Sequence, residues 1–221
     1  MSFRAKSRML IVALIVGIGF LFVFPQLTEK PRLKIYQPAD INPKLLDASA
    51  QIDSSGDHTV AEFELYNQDG DTIRIGDING KIYVADFFFT SCGNICPIMT
   101  NHMKELHDFY YQDEDNMFVS HTVYPEMDSV EVLKAYAENY GIDSDKWVLL
   151  TGPKQKIYSL ARQSYFAVIT EGDGGERDFI HTENFMLMDK SQRIRGYYDG
   201  TLPNDMERLK YDIDILRREY R

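Results

Sequence analysis

Cysteine is scarce in this sequence: Cys92 and Cys96 are the only two among 221 residues. Two thiols cannot build the framework of a disulfide-rich secreted domain. Because they stand four residues apart in a single motif, they indicate metal or redox chemistry rather than structural cross-linking. The sequence also lacks internal repeats, and its 44% hydrophobic and 26% charged residues are typical of a globular protein.

Basic residues are few outside the N-terminus. The chain has 24 Lys and Arg against 34 Asp and Glu, a net charge of −10. The first thirty residues hold four basic and one acidic side chain, which leaves 20 basic and 33 acidic residues and a net charge of −13 for the remainder. An acidic body without a basic stripe argues against a nucleic-acid partner and favours a cation or a basic protein surface.

One long hydrophobic run lies near the N-terminus. Residues 9–24 are apolar and uncharged, and they follow the basic stretch RAKSR. In a helix they would span about 24 Å, close to the thickness of a hydrocarbon core. No Ala-x-Ala cleavage site follows, so we favour an uncleaved single-pass signal anchor over a cleaved signal peptide. The basic residues keep the N-terminus cytoplasmic, which predicts a protein of the cell (inner) membrane whose C-terminal part lies on the periplasmic or other extracytoplasmic side.

The sequence after the hydrophobic run predicts a linker followed by one domain. We assign residues 1–27 to the anchor, 28–57 to an extended, proline-containing linker and 58–221 to an α/β domain. Within the domain, strands alternate with helices and the order closes on a hairpin, which is typical of a thioredoxin-like domain with a central mixed sheet flanked by helices. The predicted strands are 60–66, 72–75, 82–89, 117–123, 147–150, 185–188 and 194–198, and the predicted helices are 97–111, 129–140, 153–163 and 203–220.

The central motif joins an apolar strand to a helix. It reads FFFTSCGNICP from Phe87 to Pro97, with both cysteines in the connecting loop. The positive end of the helix dipole lowers the pKa of thiols that lie beside the helix N-terminus, and it thereby favours the thiolate. A thiolate is both a metal ligand and a redox nucleophile, so the motif by itself leaves both functions open.

The chain resembles the SCO/SenC family, membrane-anchored thioredoxin-like copper proteins that help to assemble cytochrome c oxidase. The resemblance covers most of residues 58–221. It is carried by the Gln68-Asp69-Gly70 turn, Gly80-Lys81, Phe-Thr-x-Cys-x-x-x-Cys-Pro, Pro125-Glu126, Leu150-Thr151-Gly152 and a late histidine before a hairpin. It implies that Cys92, Cys96 and His181 bind one copper ion per chain.

The residues themselves agree with that ligand set. Two thiolates and an imidazole suit Cu(I) and Cu(II). His181 ends the loop 171–181, whose glycines predict mobility over a metal. The resemblance implies a membrane-tethered copper metallochaperone, with a copper donor protein and the copper-bearing subunit of cytochrome c oxidase as partners. One departure is Tyr124, which stands where the family usually has Asp.

A thiol–disulfide oxidoreductase acting on exported proteins is the alternative function, and the enzyme question stays open between the two. Cys92 and Cys96 would then be the catalytic redox pair, and Asp86 stands where thioredoxins place a buried carboxylate. Thioredoxins also carry a cis-proline before the hairpin, however, and no proline occurs between Pro153 and Pro203. A peroxidase is a weaker third possibility, because the supporting proline of the peroxiredoxin loop is absent.

The other candidate ligands are predicted to be structural. They are His58, His102, His107, His121, Met99, Met103, Met186 and Met188.

Overall fold

The structure, a computed structural model, describes residue 14 and residues 17–20, 31–41, 53, 55–168, 172 and 178–221. The chain divides into two units, Met1–Arg32 and Leu33–Arg221. In the first unit, Leu14 and residues 17–20 are helical. None of the helices in the described part of the chain is long and apolar enough to cross a membrane, and most of the predicted span at 9–24 lies outside that part.

The second unit is built on a mixed five-stranded sheet, as the sequence predicts. Its strands are β3 (Ile82–Phe88), β4 (Asn116–Thr122), β5 (Trp147–Leu150), β6 (Asn184–Met188) and β7 (Ile194–Asp199), and a separate antiparallel hairpin is formed by β1 (Glu64–Tyr66) and β2 (Thr72–Arg74). The sheet order is β5-β4-β3-β6-β7. The β3, β4 and β5 strands run parallel, while β6 and β7 are antiparallel to their neighbours.

Helices cover both faces of the sheet. They are α1 (Pro38–Ile41), α2 (Ile75–Ile78), α3 (Ile95–Phe109), α4 (Val130–Tyr140), α5 (Lys154–Ser159) and α6 (Pro203–Glu219). Every residue of β3 is buried, because one face packs under α3, α4 and α6 and the other under α2 and α5. This explains the continuous apolar run that marked the strand in the sequence.

Two of the predicted helices begin or end at other residues in the structure, and a third begins where the sequence predicts. The α3 helix begins at Ile95, so Pro97 occupies its third position, where the missing N–H would have had no helical partner. The helix predicted to reach Gln163 changes to a π-helical turn at Leu160–Ser164. The α4 helix begins as predicted, with the Ser129 side chain accepting a hydrogen bond from the Val132 backbone N–H.

Part of the predicted linker packs on the domain. The Tyr36 backbone N–H donates to the Ile194 carbonyl at 2.9 Å, and the Tyr36 ring meets the edge of Tyr197 at 5.5 Å. The buried Arg195 guanidinium donates to the Leu33 carbonyl at 2.8 Å and to Glu219 at 2.7 Å. Residues 33–41 therefore belong to the second unit, although the sequence placed them in the extended linker.

Candidate metal and redox site

The two cysteines lie at the carboxyl end of the central strand, where β3 gives way to α3. Cys92 is half-buried in the loop and Cys96 is buried in the first turn of the helix; both are free thiols. The Cys92 backbone N–H donates to the Phe89 carbonyl at 3.3 Å, which closes the loop into a turn. The two thiols lie near enough to shift each other's pKa, so the structure brings together the pair that the sequence predicts.

The two thiols differ in acidity because their surroundings differ. Partial burial acts to raise the pKa of Cys92, but hydrogen bonds from backbone N–H groups at positions 94–96 and from the Cys96 thiol outweigh it, and the pKa lies below its ordinary value. These are the unpaired N–H groups that begin α3. Burial raises the pKa of Cys96 to about 12, and the neighbouring charges of Cys92 and Asp86 act in the same direction. Cys92 is therefore the more accessible and more readily ionised thiol of the pair.

Asp86 lies under the cysteine pair, in the position that the sequence indicated. It is buried in β3 on the face covered by α3. Burial raises its pKa to about 7, against a hydrogen bond with Ser120 that lowers it. Its Oδ1 atom has no hydrogen-bond partner, so the site contains one buried carboxyl group that is only partly satisfied.

His181 lies on a neighbouring segment with an exposed side chain. The backbone on either side of it is anchored: Ile180 is buried, and the Thr182 hydroxyl donates to the Ala167 carbonyl at 3.0 Å. Most of residues 169–177, which held most of the predicted mobile loop, lie outside the described part of the chain. In the part that is described, no three His, Cys, Asp or Glu side chains are grouped closely enough to hold a metal ion, so His181 is not brought together with the two thiols.

Sequence reasoning missed two sets of contacts beside the thiols. The fully buried Asp128 accepts hydrogen bonds from the backbone N–H of Thr90 at 3.2 Å and from the Thr90 hydroxyl at 2.5 Å. The ring of Phe179 meets Phe89 at 5.0 Å and Tyr124 at 5.9 Å, both edge to face. The sequence pattern gave no signal of these contacts, because each of them joins residues that are far apart in the chain.

The remaining histidines and methionines are placed mainly in packing roles. The four methionines 99, 103, 186 and 188 are fully buried, and His58, His107 and His121 are buried as well. The half-buried His102 ring lies 2.7 Å from the Gly200 carbonyl through Nδ1. None of these histidines joins a group of His, Cys, Asp or Glu side chains that could hold a metal within the described ranges.

Comparison with known proteins gives one consistent family. The SCO1/SenC family model matches residues 52–214. A SCO1 protein homologue of Bacillus subtilis is 34% identical over 168 residues, which are 75% of this chain and 83% of that protein. The crystal structure of a SCO1/SenC family lipoprotein from Bacillus anthracis is 31% identical with a TM-score of 0.64, over 72% of this chain and 95% of the other.

One solved relative is described as having a disulfide switch. BsSco, described as a member of the Sco family of cytochrome c oxidase assembly proteins with a disulfide switch, is 30% identical with a TM-score of 0.61, over 75% of this chain and 97% of that one. Copper-bound structures of ScoI from Arabidopsis thaliana and Bradyrhizobium japonicum are 22% and 20% identical, with TM-scores of 0.57 and 0.56. They cover 71% and 72% of this chain and 98% of each other chain, and at that identity they show the shared fold.

Proposed function

Because this chain belongs to the SCO1/SenC family, we propose that it is a copper metallochaperone that binds one copper ion through Cys92, Cys96 and His181. It delivers the ion to the copper-bearing subunit of cytochrome c oxidase, or prepares the thiols of that subunit. The observation that carries the proposal is the pair of free, neighbouring and unequally acidic thiols at the start of α3. Support comes from solved Sco relatives described as copper-bound and from one described as an oxidase assembly protein.

The donor chemistry fits copper as cargo. Thiolates are soft ligands that select Cu(I), and an added imidazole also suits Cu(II). Cys92 is half-exposed and has a lowered pKa, so it is the thiol that meets an incoming ion first. Cys96 has a pKa of about 12, so it gives up its proton as the ion binds. His181 joins from its exposed position, and it is the ligand an acceptor protein can replace most easily.

The thiol pair also supports the second function, disulfide reduction in exported proteins. The Cys92 thiolate attacks a substrate disulfide and expels one substrate thiolate, which leaves a mixed disulfide. Cys96 loses its proton and attacks the Cys92 sulfur, which releases the second substrate thiol and leaves Cys92–Cys96 oxidised. The buried Asp86 near Cys96 favours this chemistry, because a carboxyl group with a pKa of about 7 can accept the Cys96 proton.

We also propose that residues 1–27 anchor the chain in the cell membrane with the N-terminus in the cytoplasm. The support is the uncharged apolar run 9–24 and the basic residues before it. The acidic body gives a docking surface for a basic copper donor protein or for the oxidase subunit. No nucleic-acid partner is proposed.

Copper binding by matched variants tests the function. The reduced wild-type chain is expected to bind one Cu(II) with an intense thiolate-to-copper absorption. His181→Ala is expected to lose or shift that absorption and to retain Cu(I), which two thiolates satisfy. Glu183→Ala is the matched control, since Glu183 is exposed on the same segment and carries no soft donor. Failure of the wild-type chain to bind copper, or a His181→Ala variant with an unchanged Cu(II) spectrum, would refute the proposal.

A further inference from the structure

A short turn beside the cysteine loop contacts Thr90 and Phe179, which stand two residues before Cys92 and His181. This 124–128 turn, Tyr124–Asp128, follows β4 directly. It is closed by hydrogen bonds from the backbone N–H groups of Met127 and Asp128 to the Tyr124 carbonyl, at 3.0 and 2.9 Å. A further hydrogen bond, from the Tyr124 backbone N–H to the Thr122 hydroxyl at 3.0 Å, joins the first residue of the turn to the end of β4. Three hydrogen bonds therefore hold the turn at the end of the strand next to β3.

One end of the turn holds the cysteine loop. Asp128 has no exposed surface, and its carboxylate accepts hydrogen bonds from the backbone N–H and hydroxyl of Thr90. The Thr122 hydroxyl donates to the same carboxylate. A buried carboxyl group that accepts three hydrogen bonds holds its donors strongly, because the loss of any donor leaves a buried oxygen acceptor unsatisfied. Thr90 stands two residues before Cys92, so Asp128 fixes the backbone that carries the first thiol.

The other end of the turn holds the His181 segment. Phe179 stands two residues before His181, and its ring packs edge-on against Tyr124 at 5.9 Å and against Phe89 at 5.0 Å. The Tyr158 hydroxyl donates to the Val123 carbonyl at 2.8 Å and lies 3.3 Å from the Asp178 carbonyl. The segment that carries His181 is thus docked, through Phe179, on the turn and on the end of β3.

We infer that the 124–128 turn is a positioning element that sets His181 relative to the Cys92–Cys96 pair, an inference that rests on the proposed copper function. Asp128 acts through Thr90 on the thiols, and Tyr124 acts through Phe179 on the imidazole. Tyr124 contributes as an aromatic surface, which explains how a residue without a carboxylate can serve at this position. The two contacts share one turn, so together they tie the segment that carries His181 to the loop that carries Cys92.

Ring and hydroxyl variants of the full-length chain test the inference. Phe179→Ala removes the docking ring, and Tyr124→Phe keeps the ring but removes the phenolic oxygen. Phe109→Ala is the matched control: Phe109 is 66% exposed and pairs edge-on with Tyr110 at 4.8 Å, on α3. We expect Phe179→Ala to release Cu(II) roughly tenfold faster, the scale of one aromatic pair, with Cu(I) retained. Tyr124→Phe and Phe109→Ala are expected to match wild type.

Two measurements do not depend on copper. In the apo-protein, Phe179→Ala is expected to speed amide hydrogen exchange at residues 180–184 and to leave α4 unchanged. Thr90→Val, which removes one donor to Asp128 and keeps the side-chain shape, is expected to change the rate at which Cys92 is alkylated, whereas Phe179→Ala is not. Because Thr90→Val leaves Asp128 in place, it tests the other contact even if an Asp128 variant fails to fold.

The outcomes separate the inference from the function. If the wild-type chain binds no copper, the proposed function fails whatever the exchange data show. If copper binds but Phe179→Ala matches Phe109→Ala in Cu(II) release and in hydrogen exchange, the inference is wrong and the function stands. If Phe179→Ala changes only transfer to an acceptor protein, Phe179 is a docking residue and the inference is likewise overturned.

Discussion

Replacing His121 with phenylalanine should stabilise the domain, increasingly so as the pH falls. His121 is fully buried in β4, stacked on Phe87 at 5.0 Å and edge-on to Tyr165 at 5.3 Å. Neither ring nitrogen has a hydrogen-bond partner of normal geometry. Burial lowers its pKa from 6.5 to about 3, opposed in part by the Asp86 backbone. A phenylalanine ring keeps the stacking and removes the unsatisfied nitrogens.

The magnitude follows from the pKa difference. Between pH 6.5 and 3 the unfolded chain binds a proton at His121 that the folded chain does not bind, so this histidine destabilises the fold as the pH falls. At pH 5 the cost is about 2 kcal/mol, and it is close to zero at pH 7.5. At neutral pH the variant should also gain about 1–3 kcal/mol from losing the unpaired polar atoms, less any cost of the larger ring.

Urea unfolding of wild type and His121→Phe at pH 7.5 and pH 5 measures both effects. Trp147, the only tryptophan, is buried in β5 and reports the transition by fluorescence. The stability difference between the two proteins should grow by about 2 kcal/mol between the two pH values. A difference that stays constant with pH would show that His121 is not held neutral by burial, and the reasoning would fail.

Further predictions concern the thiols, the proton balance and the anchor. In the reduced chain, mass spectrometry after alkylation near neutral pH should find Cys92 modified and Cys96 unmodified, because the pKa of Cys92 is lowered and that of Cys96 is about 12; equal modification would contradict this. Copper affinity should rise about tenfold per pH unit for each thiol proton that binding displaces, and Cys92→Ser or Cys96→Ser should abolish tight binding in a metal titration. The chain should resist carbonate extraction and lose its C-terminal domain to protease added outside intact cells or spheroplasts; a soluble product beginning near residue 25 would indicate cleavage instead.

The strands and helices of this domain are largely predictable from the sequence, for local reasons. The run Ile82–Phe88 is apolar throughout because the strand is buried on both faces. Ser129 and Gly141 mark the two ends of α4, through a side-chain cap and a left-handed backbone with φ of 61°. The thiol pair is predictable for the same reason, since the strand-to-helix loop alone sets its spacing.

The surroundings of the thiols are less predictable because distant residues create them. The Asp128–Thr90 hydrogen bonds join residues 38 positions apart, and a carboxylate in a turn gives no sequence signal of a buried partner. The position of His181 relative to the thiols depends on how Phe179, Ile180 and Thr182 are anchored. Its assignment as a ligand came from the family resemblance, and it stays a prediction.

Cytochrome c oxidase activity in cells that carry single-residue variants tests the central claim most directly. A copper chaperone needs all three ligands, whereas a disulfide reductase needs only the two thiols. We therefore expect His181→Ala and Cys92→Ser both to lose oxidase activity, with Glu183→Ala unaffected and His181→Ala partly restored by added copper. Intact oxidase activity in His181→Ala cells, together with its loss in Cys92→Ser cells, would contradict copper delivery and establish thiol reduction in its place.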